Sequence, residues 1–159
     1  MAARINLRKV APGAGQVMLG LERYLHDCGL EASLLDLVRM RAPQINGCAY
    51  CLDMHSKDAR ATGETEQRLY LLNAWREPPF FSERERAALA WTEALPLIAE
   101  THAPDETYEE ARRQFSEAEL VNLSLAIVAI NGRNRLAIGF RSPVGGYRAG
   151  MSDKLLQNR

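Results

Sequence analysis

The sequence predicts an all-α protein folded as one domain over residues 1–159. Three observations carry that prediction. Apolar residues recur at helical spacing in one segment after another, Ser-x-x-Glu capping boxes open two of those segments, and no stretch alternates apolar and polar residues as a half-buried strand would. Length and composition agree: 159 residues, 47% hydrophobic and 25% charged, are ordinary for a soluble globular domain and exclude disordered, collagen-like and coiled-coil chains. No internal repeat is visible.

The first helix is expected over Gln16–Cys28, where Val17, Leu21, Tyr24, Leu25 and Cys28 fall on one stripe and Gly29 is a natural stop. Cys28 on that stripe reads as a core thiol rather than a reactive one, and His26 beside it as a surface residue. A second helix is expected from about Ala32 to Arg41, ended by Pro43, because the residue before a proline avoids the helical region. Leu34, Leu35, Leu37, Val38 and Met40 make it apolar nearly all round, with Asp36 in the middle. An acid so surrounded is expected to be partly buried, and a buried acid needs a partner.

Asn46-Gly47 then opens a third helix running to about Thr62, with Asn46 as N-cap and Gly63 just past the end. Glu64–Trp75 reads as a fourth, interrupted at Pro78-Pro79. Ser82 with Glu85 opens Glu83–Glu100, kinked at Pro96, and Pro104-Asp105-Glu106 starts a short helix to about Gln114. Ser116 with Glu119 opens the most apolar helix, Glu117 to about Phe140, and Pro143, Gly145 and Gly146 mark a loose tail. The stretch Leu120–Ile138 is too apolar to be covered within a monomer, so a homo-oligomer is expected.

Lys+Arg and Asp+Glu balance at 20 each, which leaves no phosphate-binding footprint and makes nucleic acid a poor partner. From Leu120 onward, Arg133, Arg135, Arg141, Arg148, Lys154 and Arg159 face one acid, Asp153. Such a bias can steer an acidic ligand, but the simpler reading is arginines favouring a helix C-terminus and pairing with acids elsewhere. The segment Met1–Val10 has Arg4, Arg8 and Lys9 but no apolar leader, and the longest apolar run, Leu120–Ile130, is too short to span a bilayer. A cytoplasmic protein without membrane contact is expected. There, three cysteines do not make a disulfide scaffold, and a close pair is catalytic or metal-binding.

That pair lies in Ile45-Asn-Gly-Cys48-Ala-Tyr-Cys51-Leu-Asp-Met-His55. On a helix, Cys48, Cys51 and His55 stand at i, i+3 and i+7 and project from one face. Thiols in a first turn, where free N–H groups point outward, are activated toward thiolate, and an imidazole one turn beyond Cys51 can take a thiol proton. The spacing assembles a nucleophile, a resolving thiol and a base. A c-type haem site fails, because Leu52 rather than histidine follows the second cysteine. Zinc lacks a fourth ligand, since neither His102 nor Cys28 is suitably spaced, and a static disulfide suits the compartment poorly. A redox dithiol remains the leading reading, with no cofactor and no metal. No strand feeds the pair, so the scaffold is helical rather than thioredoxin-like.

The run from Leu37 to Arg60, through Asn46-Gly-Cys48-Ala-Tyr-Cys51-Leu-Asp-Met-His55, closely resembles the alkylhydroperoxidase D-like, or carboxymuconolactone decarboxylase, family. The likeness continues through Glu85–Leu95, Phe115–Leu120 and Ile130-Asn-Gly-Arg-Asn134-Arg, covering roughly residues 15–145. It implies an all-helical fold assembling into trimers or hexamers. It also implies a thiol peroxidase with Cys51 as peroxidatic cysteine, Cys48 as resolving cysteine and His55 as proton relay. Asp36, twelve residues before Cys48, stands where the family carries a relay glutamate and is one methylene shorter. Pro43 stands where relatives usually carry serine, and Tyr50 replaces the histidine that lies between the two cysteines in the well-studied hydroperoxidase. The resemblance therefore implies an antioxidant oxidoreductase acting on hydroperoxides and recharged by a lipoyl-bearing or thioredoxin-like protein. A dithiol sensor or disulfide carrier, and a zinc-stabilised helical module, are the alternatives.

Overall fold

A computed structural model describes residues 2–152, which form helices and no strand. In chain order they are α1 (Leu7–Val10), α2 (Pro12–His26), α3 (Ala32–Asn46), α4 (Ala49–Ala61), α5 (Glu66–Leu71), α6 (Glu83–Ala94), α7 (Ile98–Thr101), α8 (Asp105–Gln114) and α9 (Glu117–Phe140), with a 3-10 turn at Leu72–Ala74 after α5. No helix among the described residues is long and apolar enough to cross a membrane. Asp153, Lys154 and Arg159, part of the C-terminal charge bias, lie outside the described residues.

The helices agree with the periodicity, and the departures sit at their ends. Pro12 opens α2 four residues early, in the first turn where a missing N–H removes no helical bond. The helix stops at His26, so Cys28 lies beyond it, its thiol donating to the Leu25 carbonyl (3.1 Å) and its side chain only partly buried against the core. α3 does not end before Pro43 but runs through it to Asn46. A proline removes one internal hydrogen bond, and here the ring is fully buried. The stop comes instead at Gly47, whose φ of +69° suits a residue without a Cβ, and the Cys48 N–H folds back onto the Pro43 carbonyl (3.0 Å). Asn46 therefore ends α3 instead of capping α4. The cap of α4 is Cys48 itself. Pro96 breaks the helix expected over Glu83–Glu100 into α6 and α7 rather than kinking it.

α3 is apolar all round because core lies on two sides of it. Leu34, Leu35 and Val38 join one cluster with Trp91 of α6, Phe115, and Leu123 and Ile127 of α9, while Leu37 and Met40 join another with Leu72, Trp75, Phe81 and Leu89. Both predicted capping boxes form, and each glutamate also takes an arginine from another segment. Glu85 binds Arg68 (2.6 Å) and Glu119 binds Arg84 (2.6 Å), and Arg84 also reaches Glu31 and the Gln114 carbonyl. Ser116 backbone and side-chain bonds, with Arg84, hold the Glu119 carboxyl down at about 2.

Beyond α9 the chain turns back over α4. The Gly145 N–H donates to Asp53 (3.1 Å), Lys57 donates to the Tyr147 carbonyl (3.1 Å), and the Tyr147 hydroxyl and Gly150 N–H both donate to Asp58. α4 is thus clamped between this segment on one side and α3 and α9 on the other.

Candidate active site

The Gly47 turn delivers Cys48 to the N-cap of α4 and places Cys51 in its first turn. The two sulfurs are at disulfide-bonding distance, their Cα atoms 5.4 Å apart, and both side chains are buried. The Cys51 N–H donates to Cys48 Sγ (3.4 Å), the contact a serine hydroxyl would receive at an ordinary cap. On the reduced chain the same N–H would stabilise negative charge on Cys48. Ala137 of α9 forms one buried cluster with both cysteines, and the partly buried Tyr50 packs against it.

His55 lies one turn beyond Cys51 on α4, as its spacing predicts. The ring as a whole is only partly buried, but Nε2 is sealed from solvent and has no hydrogen-bond partner among the described residues. Burial, with the nearby charges of Arg39 and Arg133, pushes its pKa from 6.5 down to about 3, so the imidazole is neutral at any physiological pH. Glu22 of α2 ties those two arginines together, accepting from Arg133 Nε at 2.8 Å and from Arg39 at 3.3 Å.

Asp36 is partly buried, as expected, and its partners are Thr62, whose hydroxyl donates at 3.1 Å, and Arg39 at 3.7 Å. Burial raises its pKa, with Arg39 and Thr62 opposing. The structure does not bond Asp36 to His55 Nε2, and what the two share is Arg39, whose charge acts on both. Among the described residues, no group of three or more His, Cys, Asp or Glu side chains is placed to hold a metal ion.

Sequence reasoning gave no site role to Glu22, Arg39, Arg133 or Asn134, although Arg133 stands in the C-terminal charge bias and Asn134 in the family-like run. The first three are ordinary charged residues of amphipathic helices until tertiary packing brings α2, α3 and α9 together. Asn134 of α9 is fully buried, and neither end of its carboxamide has a partner among the described residues. Each such buried orphan costs about 1–3 kcal/mol. It lines a cavity of about 350 Å³ with Asn46, Arg135, Ile138 and Gly139.

A family model described as the carboxymuconolactone decarboxylase family matches residues 12–94, from α2 through α6 with the dithiol inside. The chain belongs to the carboxymuconolactone decarboxylase family. In this family member α9, with Arg133 and Asn134, lies beyond the matched stretch. The uncharacterised protein YdfG of Bacillus subtilis is 41% identical over 138 residues, covering 87% of this chain and 94% of YdfG. A crystal structure of an Agrobacterium tumefaciens protein of unknown function, ascribed to AhpD-type antioxidant defence, matches with a TM-score of 0.88 at 45% identity, covering 92% of this chain and all of that one. The debrominase Bmp8 shares the fold at a TM-score of 0.76 and 21% identity, over 91% of this chain and 75% of its own.

Proposed function

We propose that this family member is a thiol-dependent peroxidase, an antioxidant oxidoreductase that reduces hydroperoxides through the Cys48–Cys51 dithiol. The observation that carries the reading is the pair of sulfurs at bonding distance with a neutral imidazole one turn along the same helix. The AhpD-type ascription of the Agrobacterium relative supports it.

In the proposed cycle the Cys51 sulfur attacks the terminal oxygen of ROOH. An S–O bond forms, the O–O bond breaks, and the thiol proton passes through His55 to the departing alkoxide, giving ROH and Cys51 sulfenic acid. Because burial makes the imidazolium so acidic, His55 carries the proton only in transit. The guanidinium groups of Arg39 and Arg133 disfavour a cation there and favour an anion, which is what a thiolate needs. The Cys48 thiolate then displaces hydroxide from the sulfenic sulfur, which leaves as water with the Cys48 proton, and the disulfide forms. An external dithiol, lipoyl-bearing or thioredoxin-like, restores the pair by exchange and is itself oxidised. Asp36 acts through Arg39, holding its guanidinium toward the site. Assembly into a homo-trimer or homo-hexamer is part of the proposal, supported by Val17 and Tyr24 of α2 and Val121 and Val128 of α9, which the single chain leaves exposed.

The test is a free-thiol count on reduced protein before and after one equivalent of an organic hydroperoxide, with mass mapping of the bridge. Rapid loss of two thiols mapped to Cys48–Cys51, with Cys28 still free, supports the reading. In Cys51→Ser the peroxide consumption should vanish, and consumption that survives it overturns the proposal. A dithiol that ignores peroxide but exchanges readily with a partner disulfide points to a carrier instead.

A further inference from the structure

Asn131 and Asn134 stand one turn apart on α9, both buried, yet they are treated differently. Asn131 is satisfied at both ends: its amide donates back to the Ile127 carbonyl (2.8 Å) and its oxygen accepts from Asn46 (2.7 Å). A buried asparagine inside a helix usually bonds back one turn in this way. Asn134 does not, and both ends of its carboxamide stay unpaired among the described residues. One turn further on, Ala137 shares a buried cluster with both cysteines, and Asn134 lines a cavity with Asn46, Arg135, Ile138 and Gly139. A donor and an acceptor left unpaired side by side, one turn from the residue that clusters with the dithiol, form a recognition element for a ligand that has one acceptor and one donor on adjacent atoms.

A hydroperoxide has that arrangement. We propose that Asn134 holds the head of an organic hydroperoxide: its carbonyl oxygen accepts from the terminal O–H, its amide N–H donates to the inner oxygen, and the organic tail lies along Ile138 and Gly139. The proposal rests on the peroxidase reading and adds to it a residue that holds the substrate. When the Cys51 sulfur bonds to the terminal oxygen and the O–O bond breaks, negative charge develops on the inner oxygen. The Asn134 N–H bond therefore strengthens in the transition state, so Asn134 raises the rate and not only the affinity. Hydrogen peroxide has no tail to fill the cavity and is the poorer substrate.

The experiment compares wild type, Asn134→Leu and Asn134→Asp in two reactions of the reduced protein: sulfenic acid formation with cumene hydroperoxide, and exchange with an aromatic disulfide reagent. Removing the donor should slow the first by about 10²–10³-fold. The second should hold within about twofold, because exchange does not use the amide. On wild type, NMR of the Asn134 side-chain N–H₂ signals during titration with the product, cumyl alcohol, should show them shift. This measurement does not depend on a variant folding. Variants as fast as wild type toward cumene hydroperoxide, equal slowing of both reactions, or unmoved amide signals would each overturn the assignment. A changed oligomer mass with an unchanged peroxide rate would overturn it too, giving the amide to a subunit contact. If wild type itself loses no thiols to cumene hydroperoxide, the peroxidase reading falls and this inference falls with it. If only the variants match wild type, this inference falls alone.

Discussion

Replacing His55 with glutamine should change how stability responds to pH. In the unfolded chain the imidazole titrates near 6.5, and in the folded chain near 3. Between those values the unfolded state binds a proton that the native state refuses, so acidification favours unfolding, and at pH 8 the effect is absent. At pH 5 the proton bound by the unfolded imidazole corresponds to about 2 kcal/mol, taking 1.36 kcal/mol per pKa unit, and the partial exposure of the ring makes this an upper figure. The assay is urea unfolding of wild type and His55→Gln at pH 8, 6.5 and 5, both with the Cys48–Cys51 bridge formed. Every other titrating group is common to the two proteins. Wild type should lose about 2 kcal/mol more than His55→Gln between pH 8 and 5. Curves that stay parallel within about 0.3 kcal/mol would refute the argument, showing that neither burial nor the two arginines bear on His55.

Three further outcomes follow from the packing. Gly47→Ala should cost about 1–2 kcal/mol in urea unfolding, because φ is +69° and nothing lies within 4 Å of the added carbon, leaving backbone strain as the whole effect. Glu93→Ala should cost about 3 kcal/mol, since Trp75 Nε1 and Arg41 both donate to that carboxylate from half-buried positions, and Glu93→Gln, which keeps an acceptor, should cost less. Asp36→Asn should slow peroxide reduction less than His55→Gln does. Burial raises the Asp36 pKa, so the native chain takes up that proton first. Wild type should therefore gain stability relative to Asp36→Asn as pH falls through the range just above 3.8, read by the same unfolding assay.

The helical class was legible because its signals are local. Apolar spacing and the Ser82–Glu85 and Ser116–Glu119 boxes depend on residues within two turns of each other, and both boxes form. Ends were less legible where tertiary packing outweighed a local preference. Pro43 sits in the core inside α3, so the helix passes through it, and Asn46 bonds to Asn131 of α9 instead of capping the next helix. The dithiol and His55 share a helix, so their spacing alone places them together. Arg39, Arg133 and Glu22 come from three separate helices, and no spacing rule connects them. Asn134 stands in the family-like run but drew no role for another reason: its neighbour Asn131 reads identically in sequence, and only unmet bonding separates the two.

The return of residues 145–150 over α4 has a mechanical consequence. Asp53, Lys57 and Asp58 anchor that segment along the length of the helix, while the Pro43–Gly47 turn fixes its start. The helix is a stator. Making and breaking the bridge between a cap residue and the first turn can then be absorbed by side-chain torsions at Cys48 and Cys51, with no swing of the helix. Under the proposed cycle, a chain built this way would keep the same outer shape in both oxidation states, and a reductant would distinguish them by the sulfur chemistry itself and not by a conformational signal.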